Sequence, residues 1–222
     1  MTDWDARYAG EEYVYGTEPN GFLASVAHRI PQGTVLCLGD GEGRNGVHLA
    51  GLGHDVTSVD ASRVGLDKAR RLAAERGVAL RTVHADLDGY VIPEGAWAGI
   101  VSIFCHLPPA LRARVHAAAV RGLRPRGLFV LEAYTPAQLS LGTGGPSAAE
   151  LLVPPDVLTS ELAGLRLERL AELRRTVVEG SRHTGEAAVV QVLGVKPDQD
   201  RVRARSPGAH PVRDVSWRWP AS

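Results

Sequence analysis

The sequence predicts an α/β fold in which a doubly wound, largely parallel β-sheet is covered by helices on both faces. From Thr34 onward, short apolar and β-prone runs alternate with amphipathic helical patterns, which is the order of elements in βαβ units. A glycine-rich loop, GDGEG, directly follows the first of these runs. The last two β-prone runs have no helical pattern between them, so we expect the sheet to end in an antiparallel hairpin.

The first βαβ unit is predicted around the glycine-rich loop. Its first strand is TVLCL, which spans Thr34–Leu38. A helix is expected over residues 44–52, because Val47 and Ala50 would then share its inner face. The run HDVTSVD supplies the second strand, which ends at Asp60.

Two helices and three strands are expected in the middle of the chain. Ser62 is a suitable N-cap for the first helix, and Gly77 is suited to the left-handed conformation that ends it. Pro108 opens the second helix, which has arginines near its C-terminal end. Their inner faces are expected to carry Leu66, Ala69 and Ala73 in the first helix and Leu111, Val115 and Ala118 in the second. The three strands are ALRTV, WAGIVSIF and GLFVLEAY.

The last third of the chain contains a glycine-rich segment, a short helix and the terminal hairpin. Residues 142–155 are rich in turn formers, so we expect a mobile loop that borders a substrate. The helix is expected over residues 156–163, and the hairpin over residues 165–178 and 187–195, joined by EGSRHTGE. We therefore predict one domain over residues 1–197, with residues 1–30 as a lid or packed arm, followed by a poorly ordered tail over residues 198–222.

Composition and charge limit the classes of partner. The 25 basic residues balance the 25 acidic ones, so no net positive field attracts nucleic acid or an anionic membrane. Arg201, Arg203 and Arg205 follow Asp198 and Asp200 in a segment that we expect to be a solvated tail. No apolar run is long enough to span a bilayer. We expect a cytoplasmic protein, a monomer or weak homodimer, that acts on a small molecule.

The two cysteines and the remaining motifs narrow the chemistry further. Cys37 and Cys105 lie in apolar runs, which suits buried thiols of a reducing compartment, although the two thiols alone do not exclude a disulfide. Neither lysine follows a glycine-rich loop, so the phosphate-loop motif is absent. No His-Glu-x-x-His or Cys-x-x-Cys pattern is present, and we expect no metal.

The glycine loop predicts a nucleotide-type cofactor. Gly39, Gly41 and Gly43 follow a strand, where glycine allows a tight turn and a close approach of backbone to a ligand. Asp60 ends the next strand about 20 residues later, where an acid typically binds a ribose diol. The segment from Gly41 to Gly46 also satisfies the G-x-G-x-x-G pattern, so these features alone leave the identity of the cofactor open.

The acids of the loop favour S-adenosylmethionine over NAD. Asp40 and Glu42 stand where a dinucleotide would place its pyrophosphate, and like charges at short range repel. S-adenosylmethionine instead carries a sulfonium and an ammonium group. No tyrosine is followed by lysine at the Tyr-x-x-x-Lys spacing, which disfavours a short-chain dehydrogenase.

The chain resembles class I S-adenosylmethionine-dependent methyltransferases in five successive segments. These are VLCLGDGEGRNGVHLA, SVDAS, HADLD, GIVSIFCHLPPALR and GLRPRGLFVLEAYTPAQL. The segments WDARY, YVYGTEPNGFL, GTGGP and HTGEAAVVQ resemble the bacterial branch related to tellurite-resistance and thiopurine methyltransferases, so the likeness covers about residues 4–197. It implies a Rossmann-like sheet of seven strands in the order 3-2-1-4-5-7-6, with strand seven antiparallel.

The resemblance also implies roles for individual residues. Gly39, Gly41 and Gly43 would line the methionine portion of S-adenosylmethionine. The ribose and adenine would be bound by Asp60, Ala61, Asp86 and Leu87. Phe104 and His106 would face the transferred methyl group. One position departs from the family: the acid two residues before the first glycine is Cys37 here, and Asp40 is the residue that would compensate.

Methyl transfer requires alignment and exclusion of water, with a general base only where the acceptor is protonated. His106 is the candidate base, since it follows a sheet strand at the end where α/β sheets bind ligands; the alternative is a hydrogen-bonded structural histidine. His183 is a weaker candidate. Glu132 and Tyr134 either orient the acceptor or satisfy the end of a strand. An aromatic N-terminal cluster, which includes Tyr15, either closes over the cofactor or packs as an ordinary arm.

The function predicted from the sequence is transfer of a methyl group from S-adenosylmethionine to a small nucleophile such as a thiol or metalloid. A module that binds the cofactor without catalysis is the alternative from another class. An NAD-dependent oxidoreductase is a third possibility, which the acids of the loop disfavour.

Overall fold

The computed structural model describes residues 3–180 and 183–198 of the chain. Its helices are α1 (Trp4–Tyr8), α2 (Gly21–Val26), α3 (Arg44–Gly51), α4 (Arg63–Glu75), α5 (Pro109–Gly122) and α6 (Pro155–Glu161). Its strands are β1 (Thr34–Leu38), β2 (Asp55–Asp60), β3 (Arg81–His84), β4 (Trp97–Ile103), β5 (Leu123–Tyr134), β6 (Arg166–Glu179) and β7 (His183–Val195). The tail that we expected to be poorly ordered lies, beyond residue 198, outside the described residues.

The strands form one seven-stranded sheet in the order β3-β2-β1-β4-β5-β7-β6. Strands β1 to β5 run parallel, and β7 pairs antiparallel with both β5 and β6. The predicted fold class, strand order and terminal hairpin are therefore confirmed. Because parallel strands end at the same edge of a sheet, the loops after β1, β2, β4 and β5 lie close together there.

The sheet has an apolar core on each face, as the alternation of side chains along a strand requires. Along β1, Leu36 and Leu38 belong to one buried cluster, which contains residues of α5 and α6. Val35 and Cys37 belong to the other, which contains residues of α2 and α3. The predicted helical cover on both faces is thus observed. Among the described residues, no helix is long and apolar enough to cross a membrane.

Several strand boundaries differ from the prediction, and three of these differences have a visible cause or consequence. β5 begins at Leu123 instead of at residue 127, because a shift of register against β4 lets the strand continue through a segment that looks like a turn. β7 begins at His183 instead of at residue 187, since pairing with β6 outweighs the poor β-propensity of HTGE. β4 ends at Ile103, and Phe104 leaves the strand with a φ of 51°.

Gly43 is expected to tolerate no side chain. Its φ is 86°, and a Cβ atom there would lie 2.4 Å from the Cβ of Ala69 in α4. We expect Gly43→Ala to lower the free energy of unfolding by about 2–4 kcal/mol, from overpacking together with a left-handed backbone. Gly51→Ala is the matched control, because nothing lies within 4 Å of that added Cβ. Urea unfolding of both variants tests this, and equal stabilities would contradict it.

Candidate cofactor and acceptor site

The glycine loop lies at the carboxyl edge of the sheet, and all three of its glycines have left-handed backbones. A Cβ on Gly39 would lie 2.7 Å from Sγ of Cys105, and a Cβ on Gly41 would lie 2.6 Å from the hydroxyl of Tyr8. The predicted close approach is therefore present, but the atoms approached belong to the chain itself. Burial raises the pKa of Cys105 to about 12, so its thiol stays protonated beside the loop at neutral pH.

Asp60 joins the glycine loop to the start of α4. Its Oδ2 accepts a hydrogen bond from the Gly41 N–H at 2.8 Å, and its Oδ1 accepts one from the Ser62 N–H at 2.8 Å. Burial raises the pKa of Asp60 above its ordinary value, against the lowering effect of these two bonds. Each carboxylate oxygen has a further lone pair, so the end of β2 can still bind a pair of hydroxyls, as predicted for a ribose.

Asp40 points back into the protein from the loop. Its Oδ2 accepts hydrogen bonds from Ser58 Oγ at 2.5 Å and from the Gly46 N–H at 3.2 Å. Burial raises the pKa of Asp40 to about 7, so its carboxyl group is partly protonated at neutral pH. The expectation that Asp40 offers a full negative charge to a cationic ligand is therefore not met.

Glu42 is the second loop acid, and it is 4% exposed. Its Oε1 pairs with Lys68 Nζ at 2.7 Å, and its Oε2 accepts from the Val14 N–H at 2.8 Å. Both partners belong to the chain, so the loop is less acidic toward a ligand than the sequence suggests. Lys68 is 1% exposed and also donates to the Glu12 carbonyl at 2.6 Å.

The N-terminal arm, residues 3–20, lies across the glycine loop. Asp5 at the start of the arm accepts from Ser62 Oγ at 2.6 Å and from the Val64 N–H at 3.1 Å. In the middle of the arm, Glu42 and Lys68 bind backbone groups of residues 12–15. The arm thus contacts the glycine loop and the start of α4, and its action as a lid over a cofactor stays a prediction. Lys68 was not predicted as a functional residue. Its position beside the apolar stripe of α4 could have indicated a buried lysine with an acidic partner.

The predicted adenine-side residues lie on the other flank of Asp60. Ala61 is exposed, and its carbonyl accepts from Nε2 of His84 at 3.0 Å. Asp86 follows β3, is exposed, and accepts from the Asp88 N–H at 2.9 Å. Leu87 is half-buried against the core under the sheet. Ala61 thus follows β2 directly, and Asp86 and Leu87 follow β3, while their contact with a ribose or an adenine stays a prediction.

Five aromatic side chains from four parts of the chain meet beside the glycine loop, and we call them the ring cluster. They are Tyr15 of the arm, Phe104 and His106 after β4, Tyr134 at the end of β5, and His183 at the start of β7. Phe104 stacks on Tyr134 with ring centroids 4.6 Å apart. The contact of Cys105 with Gly39 places the cluster next to the loop. All five residues were predicted from the sequence as site residues.

Among the residues that the structure describes, three buried polar atoms of the ring cluster have no hydrogen-bond partner: Nε2 of His106, the hydroxyl of Tyr134 and Nδ1 of His183. Nδ1 of His106 lies 3.2 Å from the Leu151 carbonyl, which only accepts, so Nδ1 carries the proton and Nε2 has a free lone pair. Burial lowers the pKa of His106 to about 4 and that of His183 to about 3. Both imidazoles are therefore neutral at neutral pH.

The loop over residues 142–155 covers part of the ring cluster. A Cβ on Gly145 would lie 2.7 Å from the ring of Tyr134, and the Leu151 carbonyl holds His106. Gln138 fixes the loop through donation to Thr143 Oγ1 at 3.0 Å and to the Gly144 carbonyl at 3.1 Å. The predicted proximity of this loop to a substrate site is thus consistent with its contacts.

Glu132 is fully buried in a charge network beside Tyr134 of the ring cluster. Its oxygens accept from Asn20 Nδ2 at 2.9 Å, from Arg175 Nε at 3.1 Å and from Gln191 Nε2 at 2.5 Å. The same network contains Glu179. These donors occupy its oxygens, and all of them are side-chain groups, not the backbone groups of the predicted structural role. A role of Glu132 in orienting an acceptor stays a prediction. The sequence did not reveal its partners, which are up to 112 positions away.

Known proteins are similar to this chain in sequence and in fold. Residues 35–127 match the family model described as "Methyltransferase domain". A 2-heptyl-1-hydroxyquinolin-4(1H)-one methyltransferase from Mycobacteroides abscessus is 28% identical over 117 residues. That alignment covers 51% of this chain and 52% of the relative, so the matched region spans about half the length of that protein.

Solved structures share the fold over most of the chain. A protein studied for the conversion of a disulfide bond into a thioacetal group during echinomycin biosynthesis has a TM-score of 0.72 at 21% identity, covering 93% of this chain and 98% of that one. TehB from Haemophilus influenzae gives 0.67 at 18% identity, covering 87% and 65%. A SAM-dependent methyltransferase from Methanosarcina mazei gives 0.64 at 14%, covering 81% and 99%. Residues 35–127 therefore match a methyltransferase domain, the chain has the Rossmann-like methyltransferase fold, and the cofactor that such a domain implies is S-adenosylmethionine.

Proposed function

We propose that the protein transfers a methyl group from S-adenosylmethionine to a small-molecule acceptor. The observation that carries this proposal is the group of three unpartnered polar atoms in the ring cluster, directly beside the glycine loop. Buried polar atoms almost always have a hydrogen-bond partner. Three exceptions among rings in mutual contact are what an acceptor site requires, because a bound acceptor would supply the partners.

The residues at the carboxyl edge fit the cofactor. The tight backbone of the glycine loop would follow the methionine part, Asp60 would bind the ribose hydroxyls, and Asp86 with Leu87 would border the adenine. Asp5, Glu42 and Lys68 hold the arm over the loop, which excludes water from the cofactor side. The cofactor supplies a methyl group already activated on a sulfonium, so the chain has to align the acceptor and remove at most one proton.

His106 is the candidate for removing that proton. The Leu151 carbonyl fixes its tautomer, and the free lone pair on Nε2 lies in the ring cluster. A neutral imidazole held in this way can accept a hydrogen bond from a hydroxyl or thiol and then its proton. The structural alternative is a histidine held only for packing, and His48 and His54, which lie outside the ring cluster, also have an unpartnered ring nitrogen.

The acceptor is proposed from two sources. The resemblance to tellurite-resistance and thiopurine methyltransferases implies thiols or metalloids. The relative from Mycobacteroides abscessus acts on a hydroxyquinolone, according to its name, and the aromatic walls of the ring cluster favour such a planar hydroxyl compound. A screen that follows S-adenosylhomocysteine release from thiols, selenite, tellurite, amines and hydroxylated heteroaromatics tests the proposal. No release with any acceptor, despite cofactor binding, would favour the non-catalytic module instead.

Asp60→Ala is expected to weaken binding of S-adenosylhomocysteine by about 10-fold or more, since two charge-assisted hydrogen bonds to the ribose are lost. Isothermal titration calorimetry measures this. Asp55→Ala is a matched control, because Asp55 is the exposed acid at the opposite end of the same strand. Unchanged affinity in Asp60→Ala would contradict the assignment of the site. Tighter binding of NADH than of S-adenosylhomocysteine by the wild type would favour the oxidoreductase instead.

A further inference from the structure

The ring cluster holds no free charge, and this restricts the acceptor. His106 and His183 are neutral because burial lowers the pKa of each far below neutrality. The charged side chains packed behind Tyr134 and His183 are paired with one another: Arg44 with Glu179, and Arg175 with both Glu132 and Glu179. On the side of the arm, exposed Arg7 donates to the Tyr15 hydroxyl at 3.3 Å. Apart from exposed Arg7, no described side chain of the cluster or of this network offers a charged acceptor an unpaired opposite charge in exchange for its lost hydration.

Three rings of the cluster also share nearly the same orientation. Phe104, His106 and Tyr134 lie close to parallel, with interplanar angles of 26° between Phe104 and Tyr134 and 12° between His106 and Tyr134. His183 stands at 88° to Tyr134 and closes the side of the stack. Offset stacking of aromatic rings is favourable, so a flat ring system extends this stack better than an alkyl thiol or an oxyanion does.

The unpartnered atoms differ in hydrogen-bonding character. Nε2 of His106 carries no proton and can only accept, since Nδ1 donates to Leu151. The Tyr134 hydroxyl has a proton to donate, because burial raises its pKa and keeps it protonated. The group that meets His106 must therefore be a donor, and the group that meets Tyr134 is best an acceptor.

Resting on the proposed function, we infer that the ring cluster recognises a neutral, planar acceptor at two points. The reacting hydroxyl donates to His106 Nε2, and a second oxygen or ring nitrogen of the same molecule accepts from the Tyr134 hydroxyl. In the reaction the hydroxyl oxygen gains the methyl group, and its proton passes to His106 Nε2. The electron pair of the broken carbon–sulfur bond stays on the sulfur of the donor. Tyr134 is thus a specificity-determining residue.

A matched pair of probes tests the second contact. 7-Hydroxycoumarin and 2-naphthol are flat bicycles of equal size with a hydroxyl in the same position, and only the coumarin has a carbonyl across the ring system. Tyr134→Phe keeps the stacked ring and removes only the hydroxyl. At slightly acidic pH both probes are neutral. There we expect KM of this variant to rise about 10-fold for 7-hydroxycoumarin and less than about 2-fold for 2-naphthol.

Fluorescence titration of both probes in the presence of S-adenosylhomocysteine gives the same comparison as dissociation constants, without any need for turnover. Equal losses for the two probes, or no loss for either, would overturn the two-point contact. Faster methylation of selenite than of 7-hydroxycoumarin would overturn the preference for neutral acceptors. Failure of the proposed function is a different result, namely no calorimetric binding of S-adenosylhomocysteine by the wild type, or no release of it with any acceptor in the screen.

Discussion

Replacing His106 by glutamine is expected to lower kcat by about 10²–10⁴-fold, because the loss of a general base has effects of this size. The glutamine amide can still donate to the Leu151 carbonyl, but it cannot accept a proton from the acceptor. The dissociation constant of S-adenosylhomocysteine should not change. His28→Gln is the control, since His28 is exposed and lies outside the site. Wild-type kcat in the His106 variant would show that the imidazole only shapes the pocket.

The pH profile gives a second check on His106. Burial lowers its pKa from the ordinary 6.5 to about 4, so the base stays neutral as the pH falls from neutrality to about 5. The kcat/KM of the wild type should remain level over that range and fall near pH 4. A decrease centred near 6.5 would contradict the burial of the base.

The lowered pKa of His106 also makes the stability of the fold decrease as the pH falls. At pH values between 4 and 6.5, the unfolded chain binds a proton at His106 that the folded chain does not. The stability that this residue contributes is therefore complete above pH 6.5 and is lost as the pH falls through 4. Burial lowers the pKa of His183 in the same direction, to about 3. The free energy of unfolding must accordingly be measured beside kcat/KM, so that acid unfolding is not taken for titration of the base.

The fold was predictable because each element has a local cause. Apolar runs gave the parallel strands, Ser62 capped α4 as predicted, with its Oγ accepting from the Gly65 N–H at 2.9 Å, and Gly77 took the left-handed backbone that ends that helix. What local patterns could not give are features that depend on pairing between distant segments. The early start of β7 at His183 is one of these, since it depends on the register with β6.

The site residues that lie at or just after the ends of strands were predictable. Phe104, His106 and Tyr134 follow or end neighbouring strands, so topology brings them together. The roles of the loop acids were not predictable in the same way. Glu42 was expected to face a ligand and instead pairs with Lys68, 26 positions away. The partner of a charged residue in this loop can be identified only when the packing of the arm and α4 is known.

Lys68→Met is expected to lower the free energy of unfolding by about 3–5 kcal/mol, because it leaves the buried carboxylate of Glu42 without its cation. Lys68 and Glu42 have side-chain exposures of 1% and 3%, so water cannot replace the lost partner. Urea unfolding measures the loss. The exposed pair of Arg174 and Glu186, at 61% and 54%, provides the control: Arg174→Gln should cost less than about 1 kcal/mol.

The double variant Glu42→Gln/Lys68→Met separates the charge from the packing. Glutamine can still accept from the Val14 N–H, and no unpaired charge stays buried, so we expect most of the stability lost in Lys68→Met to return. The arm should respond in parallel, since Lys68 and Glu42 bind the backbone of residues 12–15. Limited proteolysis should therefore cleave the arm faster in Lys68→Met than in the double variant. If both variants are as stable and as resistant to proteolysis as the wild type, the buried pair does not hold the arm over the glycine loop.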